Sequence, residues 1–189
     1  MDVIQAIQTR RSVNRMTDVA PSREDIAEIL DAAVMAPNHG FTQPWKFYVV
    51  AGDERERISS RLAESVSAEV DVTTPEGKTQ VEKAANMLTR APVVVAVTSA
   101  LDDEDVYERE DFAATWMAVQ NMMLAAWAKG IASKVRTPPA IESPVLRELL
   151  GVDDNSKILG LVFLGYPGER AVPPARERDA ETATWLGWS

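Results

Sequence analysis

The chain has 189 residues, enough for one domain with a real core, and an ordinary apolar fraction of 46%. Its 29 acidic against 20 basic residues leave a net charge of −9, which argues against nucleic acid or an anionic membrane surface as a partner. It contains no cysteine, so disulfides, thiolate metal sites and cysteine nucleophiles are excluded. No apolar run reaches the length of a membrane span, and the amino terminus lacks a basic stretch followed by an apolar one. These features predict a cytoplasmic protein made of a single domain over 1–189.

In chain order, residues 2–10 predict a short helix with Val3, Ile4 and Ile7 on one side. Ser22 is a good N-cap for a second helix with an apolar stripe of Ile26, Ile29, Leu30 and Ala33, and Pro37 ends it. Residues 45–51 read as a strand. Charged helices are predicted over 54–69 and 76–90, joined around Thr73, Thr74 and Pro75. VVVAV (93–97) has the β-branched continuity of a strand covered on both faces. Residues 111–129 form a helix that is apolar nearly all round and stops at Gly130, so it must be covered on most sides, by the core or by a second subunit. A strand from Gly130-Ile131 to Val135, a short helix from Ser143-Pro144 to Gly151, and a last core strand at 158–166 complete the domain. Strands and helices mix without strict alternation. A three-layer α+β domain is therefore expected rather than a doubly wound parallel sheet.

Common motifs fail. There is no G-x-G-x-x-G and no G-x-S-x-G, and Gly77-Lys78-Thr79 has Val72 where a phosphate loop needs its first glycine. The acidic run 102–105 lacks the glycine and spacing of a calcium loop and reads as solvated surface. Two segments stand out. RRSVNR (10–15) puts three arginines and a hydroxyl together after the first helix. They serve equally as cations at a helix carboxyl end or as a phosphate receptor. APNHGFTQPWKFYVV (36–50) holds the only histidine, His39, in a turn-rich loop entering a strand. A plain turn anchored by Trp45 is the competing explanation.

Together, RRSVNR, APNHGFTQPWKFYVV, WMAVQNMMLAAWAKGIASKVRT (116–137) and ILGLVFLGYP (158–167) resemble, in the same order, the nitroreductase family of FMN-dependent oxidoreductases, closest to its small single-domain members. The resemblance covers essentially the whole chain. It implies a three-layer α/β/α fold with a central, mostly antiparallel sheet, in a homodimer with a swapped tail and FMN at the subunit interface. Arg10, Arg11 and Ser12 would grip the phosphate and ribityl chain, and His39 would reach the FMN held by the other subunit. Val135, Arg136 and Thr137 match the stretch beside the isoalloxazine ring, and Arg176 resembles a late phosphate-binding arginine. Three departures stand against the pattern. Met35 replaces an arginine of close relatives that touches the cofactor, Asn14 replaces a basic residue, and Pro138-Pro139 fall where glycine is frequent near flavin N5. The implied activity is ping-pong transfer of hydride from NAD(P)H, through FMN, to a nitroaromatic or quinone-like small molecule. Dehalogenation, heterocycle oxidation, flavin breakdown and flavin storage are the alternatives on the same fold.

Overall fold

Every residue from Val93 to Ser99 is buried, and this sets the centre of the molecule. In the computed structural model, which describes residues 1–168 and 184–187, the strands are Trp45–Ala51 (β1), Val93–Ala100 (β2), Ala132–Arg136 (β3) and Ser156–Gly165 (β4). They form a sheet of order β1-β2-β4-β3 in which each neighbouring pair is antiparallel. The alternation of side chains along β2 and β4 then divides the core in two. Val93, Val95, Val97, Val162 and Leu164 face the helices Arg23–Ala33 (α2) and Asp105–Ala128 (α5). Val94, Ala96, Leu161 and Phe163 face Glu54–Glu69 (α3), Pro75–Ala85 (α4) and Pro144–Leu150 (α6). The expected three-layer α+β architecture is what the chain adopts. The first helix, Val3–Thr9 (α1), rests on the end of α5, where the Trp127 indole donates to Thr9 Oγ1 at 2.9 Å.

The caps act as their sequence suggests. Ser22 Oγ accepts from the Asp25 amide at 3.0 Å, and Thr74 Oγ1 from the Gly77 amide at 3.0 Å, with Pro75 in the first turn of α4. Several boundaries differ from expectation, three of them instructively. α4 ends at Ala85 rather than near 90, because Asn86 leaves helical geometry and the Leu88 amide is taken by the buried Ser59 hydroxyl at 3.1 Å. β2 continues to Ala100 through a register shift between Val97 and Thr98. α5 starts at Asp105 rather than 111, drawing Asp105 and Glu108 into its first turn, where the helix dipole favours negative charge. Only 102–104 remain as the exposed acidic loop. α5 buries Ala114, Ala118, Val119, Met122 and Ala126, whereas Trp116 and Met117 stay exposed, so one chain covers only part of this apolar helix.

The segment after α1 is tied to the ends of β3 and β4. The Val13 amide donates to Ser133 O at 3.1 Å, the Thr17 amide to Tyr166 O at 2.8 Å, and the Gly168 amide to Arg15 O at 3.1 Å. Gly165 makes this approach possible, since a Cβ there would stand 2.8 Å from Pro92 Cδ and 3.2 Å from Met16 Cβ. Gly165→Ala is predicted to cost about 1–3 kcal/mol in urea unfolding, from overpacking against a stiff proline ring. A change within about 0.5 kcal/mol, the range of an ordinary surface substitution, would show that the approach is loose.

Candidate functional site

The arginine segment begins where α1 runs out of hydrogen-bond partners. The Arg10 amide still donates to Ala6 O at 2.9 Å. The Arg11 guanidinium turns back, its Nη1 donating to Gln8 O at 2.7 Å and Arg10 O at 2.9 Å. Arg11 thus performs the helix-end role that cations favour. Ser12 then pairs with Ser133 in an isolated parallel bridge, which lays the segment along the free edge of β3. The Ser133 hydroxyl is fully buried and has no hydrogen-bond partner, and the buried Arg11 Nε is likewise unsatisfied. Such atoms are expensive unless something else supplies their partner.

On the other face of β3, Lys134 and Arg136 reach a cavity of about 190 Å³ lined also by Val13, Asn14, Met16, Arg90 and Phe163. Lys134 Nζ donates to Asn14 Oδ1. Burial, then the charges of Arg136 and Arg90, push the Lys134 ammonium below its ordinary pKa. Among the described residues no carboxylate lines this cavity, in a chain with an excess of acids. It is a place where positive charge has been gathered against its own repulsion, which an anion would relieve.

β3 leads from this cavity back along α5. At its end, Val135 packs with the α5 side of the core, while Arg136 and Thr137 approach Gly160. A Cβ on Gly160 would lie 3.1 Å from Trp116 Cη2, 3.4 Å from Arg136 O and 3.5 Å from Thr137 Cγ2. The glycine therefore lets the half-exposed Trp116 ring and the Thr137 side chain close over the strand. Thr137 is the last residue with an N–H before Pro138-Pro139, which offer none.

The histidine loop lies elsewhere. It is held firmly. Gln43 donates its amide to Asn38 Oδ1 at 3.0 Å, Thr42 Oγ1 donates to the buried Asp111 Oδ1 at 2.8 Å, and Ala100 donates its amide to Pro44 O at 2.8 Å. Trp45 is buried below it, as a strand anchor should be. His39 Nδ1 stands 3.7 Å from Glu110 Oε2, with its ring 6.3 Å from that of Tyr107. Phe41 and Gln43 have φ of 57° and 45°, in the left-handed region, and Phe41 is 89% exposed. A strained backbone that presents an aromatic ring to solvent is a mark of a functional loop rather than a plain turn. Met35, at the other end of the loop, is 77% exposed.

The structure thus brings Arg10, Arg11, Ser12, Val135, Arg136 and Thr137 onto one track around β3, and leaves Met35 and His39 off it. His39 sits at Glu110, and Arg10 follows the Thr9 that meets Trp127. Those α5 positions are separated by about 25 Å of helix at roughly 1.5 Å per residue. Arg176 lies outside the described residues. Sequence reasoning did not single out Lys134 or Arg90. The alternation of β3 places Lys134 on the face of Arg136, a legible signal, whereas Arg90 arrives only through the tertiary fold. Among the described residues no group of three or more metal-ligating side chains occurs, and no helix is long and apolar enough to cross a membrane.

Comparisons with known proteins identify the family. The profile described as "Nitroreductase family" matches residues 7–166. "Putative NAD(P)H nitroreductase YdjA" of Escherichia coli (strain K12) is 33% identical over 172 residues, covering 90% of this chain and 91% of that one. A nitroreductase-like family protein from Bacillus cereus superimposes with a TM-score of 0.84 at 24% identity, over 100% of this chain and 97% of its own. A nitroreductase with bound FMN from Bacteroides fragilis has a TM-score of 0.76 at 25% identity, over 98% of this chain and 99% of that one. From the first arginine segment to the end of β4, this chain belongs to the nitroreductase family.

Proposed function

We propose that the protein is an FMN-dependent oxidoreductase that uses NAD(P)H to reduce nitroaromatic or quinone-like acceptors, working as a homodimer. The observation that supports this most is the acid-free cationic cavity beside Ser12, with the orphaned Ser133 hydroxyl at the same strand. These residues fit the cofactor, since an anionic ligand would lower the cost of the crowded cations and of the unsatisfied buried atoms. In this reading Arg10 and Ser12 hold the phosphate and ribityl chain, and Arg11 fixes the end of α1 behind them. Val135 and Thr137 support the ring, with Trp116 closing the far side of Gly160. Arg136 and Lys134 place positive charge where negative charge develops on reduction. FMN, when bound, supplies the two-electron relay between NAD(P)H and the acceptor. The protein needs no nucleophile, in keeping with the failure of every nucleophile motif.

The dimer follows from the separation along α5. Exposed Trp116 and Met117 lie near the midpoint between Glu110 and Trp127, and Phe41, Val106 and Tyr107 continue the apolar surface at the His39 end. A two-fold axis near that midpoint sets two copies of α5 antiparallel, so that each His39 loop, with Met35, meets the partner's arginine segment. Storage of flavin without turnover is the reading that Pro138-Pro139 favours, because those residues remove backbone donors. Bleaching by reductant separates the two.

The purified protein is expected to be yellow, to bleach with NADH or NADPH, and to be reoxidised by a nitroaromatic with parallel-line, ping-pong kinetics. Intersecting patterns would contradict a shared pocket. Arg10→Ala should weaken FMN retention roughly 10- to 100-fold, the worth of a charge-assisted phosphate contact, whereas Arg57→Ala should not. Arg57 lies on the surface of α3, paired with Glu54. Arg55 is no such control, because its Nη1 donates to Ala91 O at 2.8 Å.

Lys134 adds a pH dependence. Its folded pKa is below 10.5, so it loses its proton before an ordinary lysine would, and the charge that attracts phosphate goes with it. FMN affinity should therefore be full near neutrality and fall as pH rises toward 10.5, beginning earlier than for an unperturbed lysine. Lys134→Arg should flatten that fall. Equal alkaline slopes in both proteins, by fluorescence titration of the apoprotein, would contradict the role.

A further inference from the structure

Cavities on the α4 side of the sheet run together beyond the cofactor track. The one at Asn14 and Lys134 shares Arg90, Arg136 and Phe163 with a smaller cavity of about 80 Å³, which also touches Lys83, Met87 and Pro138. Those last three residues in turn border a third cavity of about 360 Å³. Its remaining walls are Val66, Gln80, Ala84, Pro139 and Ala140. The volume falls within the roughly 300–1,000 Å³ of small-molecule sites. It suits a single substituted ring rather than a second nucleotide.

The chemistry of this third cavity differs from that of the first. Its walls are mostly apolar, with two proline rings and the Met87 thioether among them, surfaces that suit a flat aromatic. Among the described residues its one charged group is Lys83, in the last turn of α4, which also borders the smaller cavity. Among the described residues no carboxylate lines any of the joined cavities, although the chain carries 29 acids against 20 bases. An anion is therefore drawn in here and repelled over much of the remaining surface.

We propose that this cavity is the aryl subsite of the enzyme, and that it selects a one-ring aromatic carrying a carboxylate, the ring against Met87 and Pro138-Pro139 and the carboxylate at Lys83. The redox half of this inference rests on the flavin reading above, whereas the binding half does not. With a nitrobenzoate as acceptor, the nitro group and one NAD(P)H and one proton give the nitroso group, NAD(P)⁺ and water. The nitro group gains two electrons and loses one oxygen, which leaves as water with the hydride-derived hydrogen and the proton.

Ligand-observed NMR titration of benzoate and benzamide, on the FMN-loaded and the flavin-stripped protein, tests the site directly. Benzoate is expected to bind both forms, about five- to tenfold more tightly than benzamide at low salt, an ion-pair-sized preference. Lys83→Ala should erase that preference while leaving benzamide unchanged, and Ala140→Trp, which fills the cavity from its rim, should weaken both. In turnover, Lys83→Ala should raise KM for 4-nitrobenzoate by the same factor and leave 4-nitrobenzamide untouched. Equal binding of the two ligands to the wild type, or no effect of Lys83→Ala, would overturn the proposal. So would loss of benzoate binding on FMN loading, which would place the anion in the cofactor's own cavity. Lys83-dependent benzoate binding by a protein that takes up no FMN would sustain the subsite and reject the flavin reading instead.

Discussion

A single rigid helix holds the two unusual segments of this chain apart. α5 spans 105–128, with the His39 loop fastened to its first turns through Asp111 and Glu110 and the arginine segment fastened to its last turn through Trp127. About 25 Å of helix separates those attachments. No loop movement closes such a gap, because Thr42, Gln43 and Pro44 are each hydrogen-bonded in place. In the proposed dimer the segments meet because a second chain runs the other way. The exposed Trp116 and Met117, about halfway along, would give that pairing an apolar seam.

Charge is the second organising feature. A chain of net charge −9 could leave its cations dispersed among its acids, as Arg57 with Glu54 and Lys129 with Asp25 and Glu28 are. Around β3 it does the opposite. Lys134, Arg136 and Arg90 share one cavity with no acid among its described lining residues, and the Lys134 pKa is lowered first by burial and then by those two charges. The same edge carries the unsatisfied Ser133 hydroxyl. In the proposed reading both belong to a binding surface whose energy an anion would lower.

Much of the fold was legible in the sequence because it rests on local pattern. The β-branched run at 93–97 is the central strand, Ser22 and Thr74 cap the helices they precede, and Pro144 opens α6. The boundaries that slipped were set by tertiary contacts or by charge at a helix end. Ser59 ends α4 by capturing the Leu88 amide, and Asp105 and Glu108 join the first turn of α5, where the helix dipole favours their charge. The site follows the same division. The arginine segment and the His39 loop announce themselves through residue types that no turn or helix end requires together. Lys134 hid behind an ordinary strand, and Arg90 behind the end of α4, since neither has a distinctive neighbour in sequence. Arg11 shows the converse. It resembles a ligand-gripping residue, and its guanidinium is engaged with the carboxyl end of α1.

A hybrid dimer puts the central claim to the most direct test. One chain carrying Arg10→Ala and a differently tagged chain carrying His39→Ala are co-expressed, and the mixed species is isolated and assayed for FMN per dimer. If each site draws Arg10 from one subunit and His39 from the other, the hybrid keeps one wholly wild-type site and retains one tightly bound FMN, while both parent homodimers lose theirs. A hybrid that retains FMN no better than its parents, with both sites equally weakened, would contradict the account.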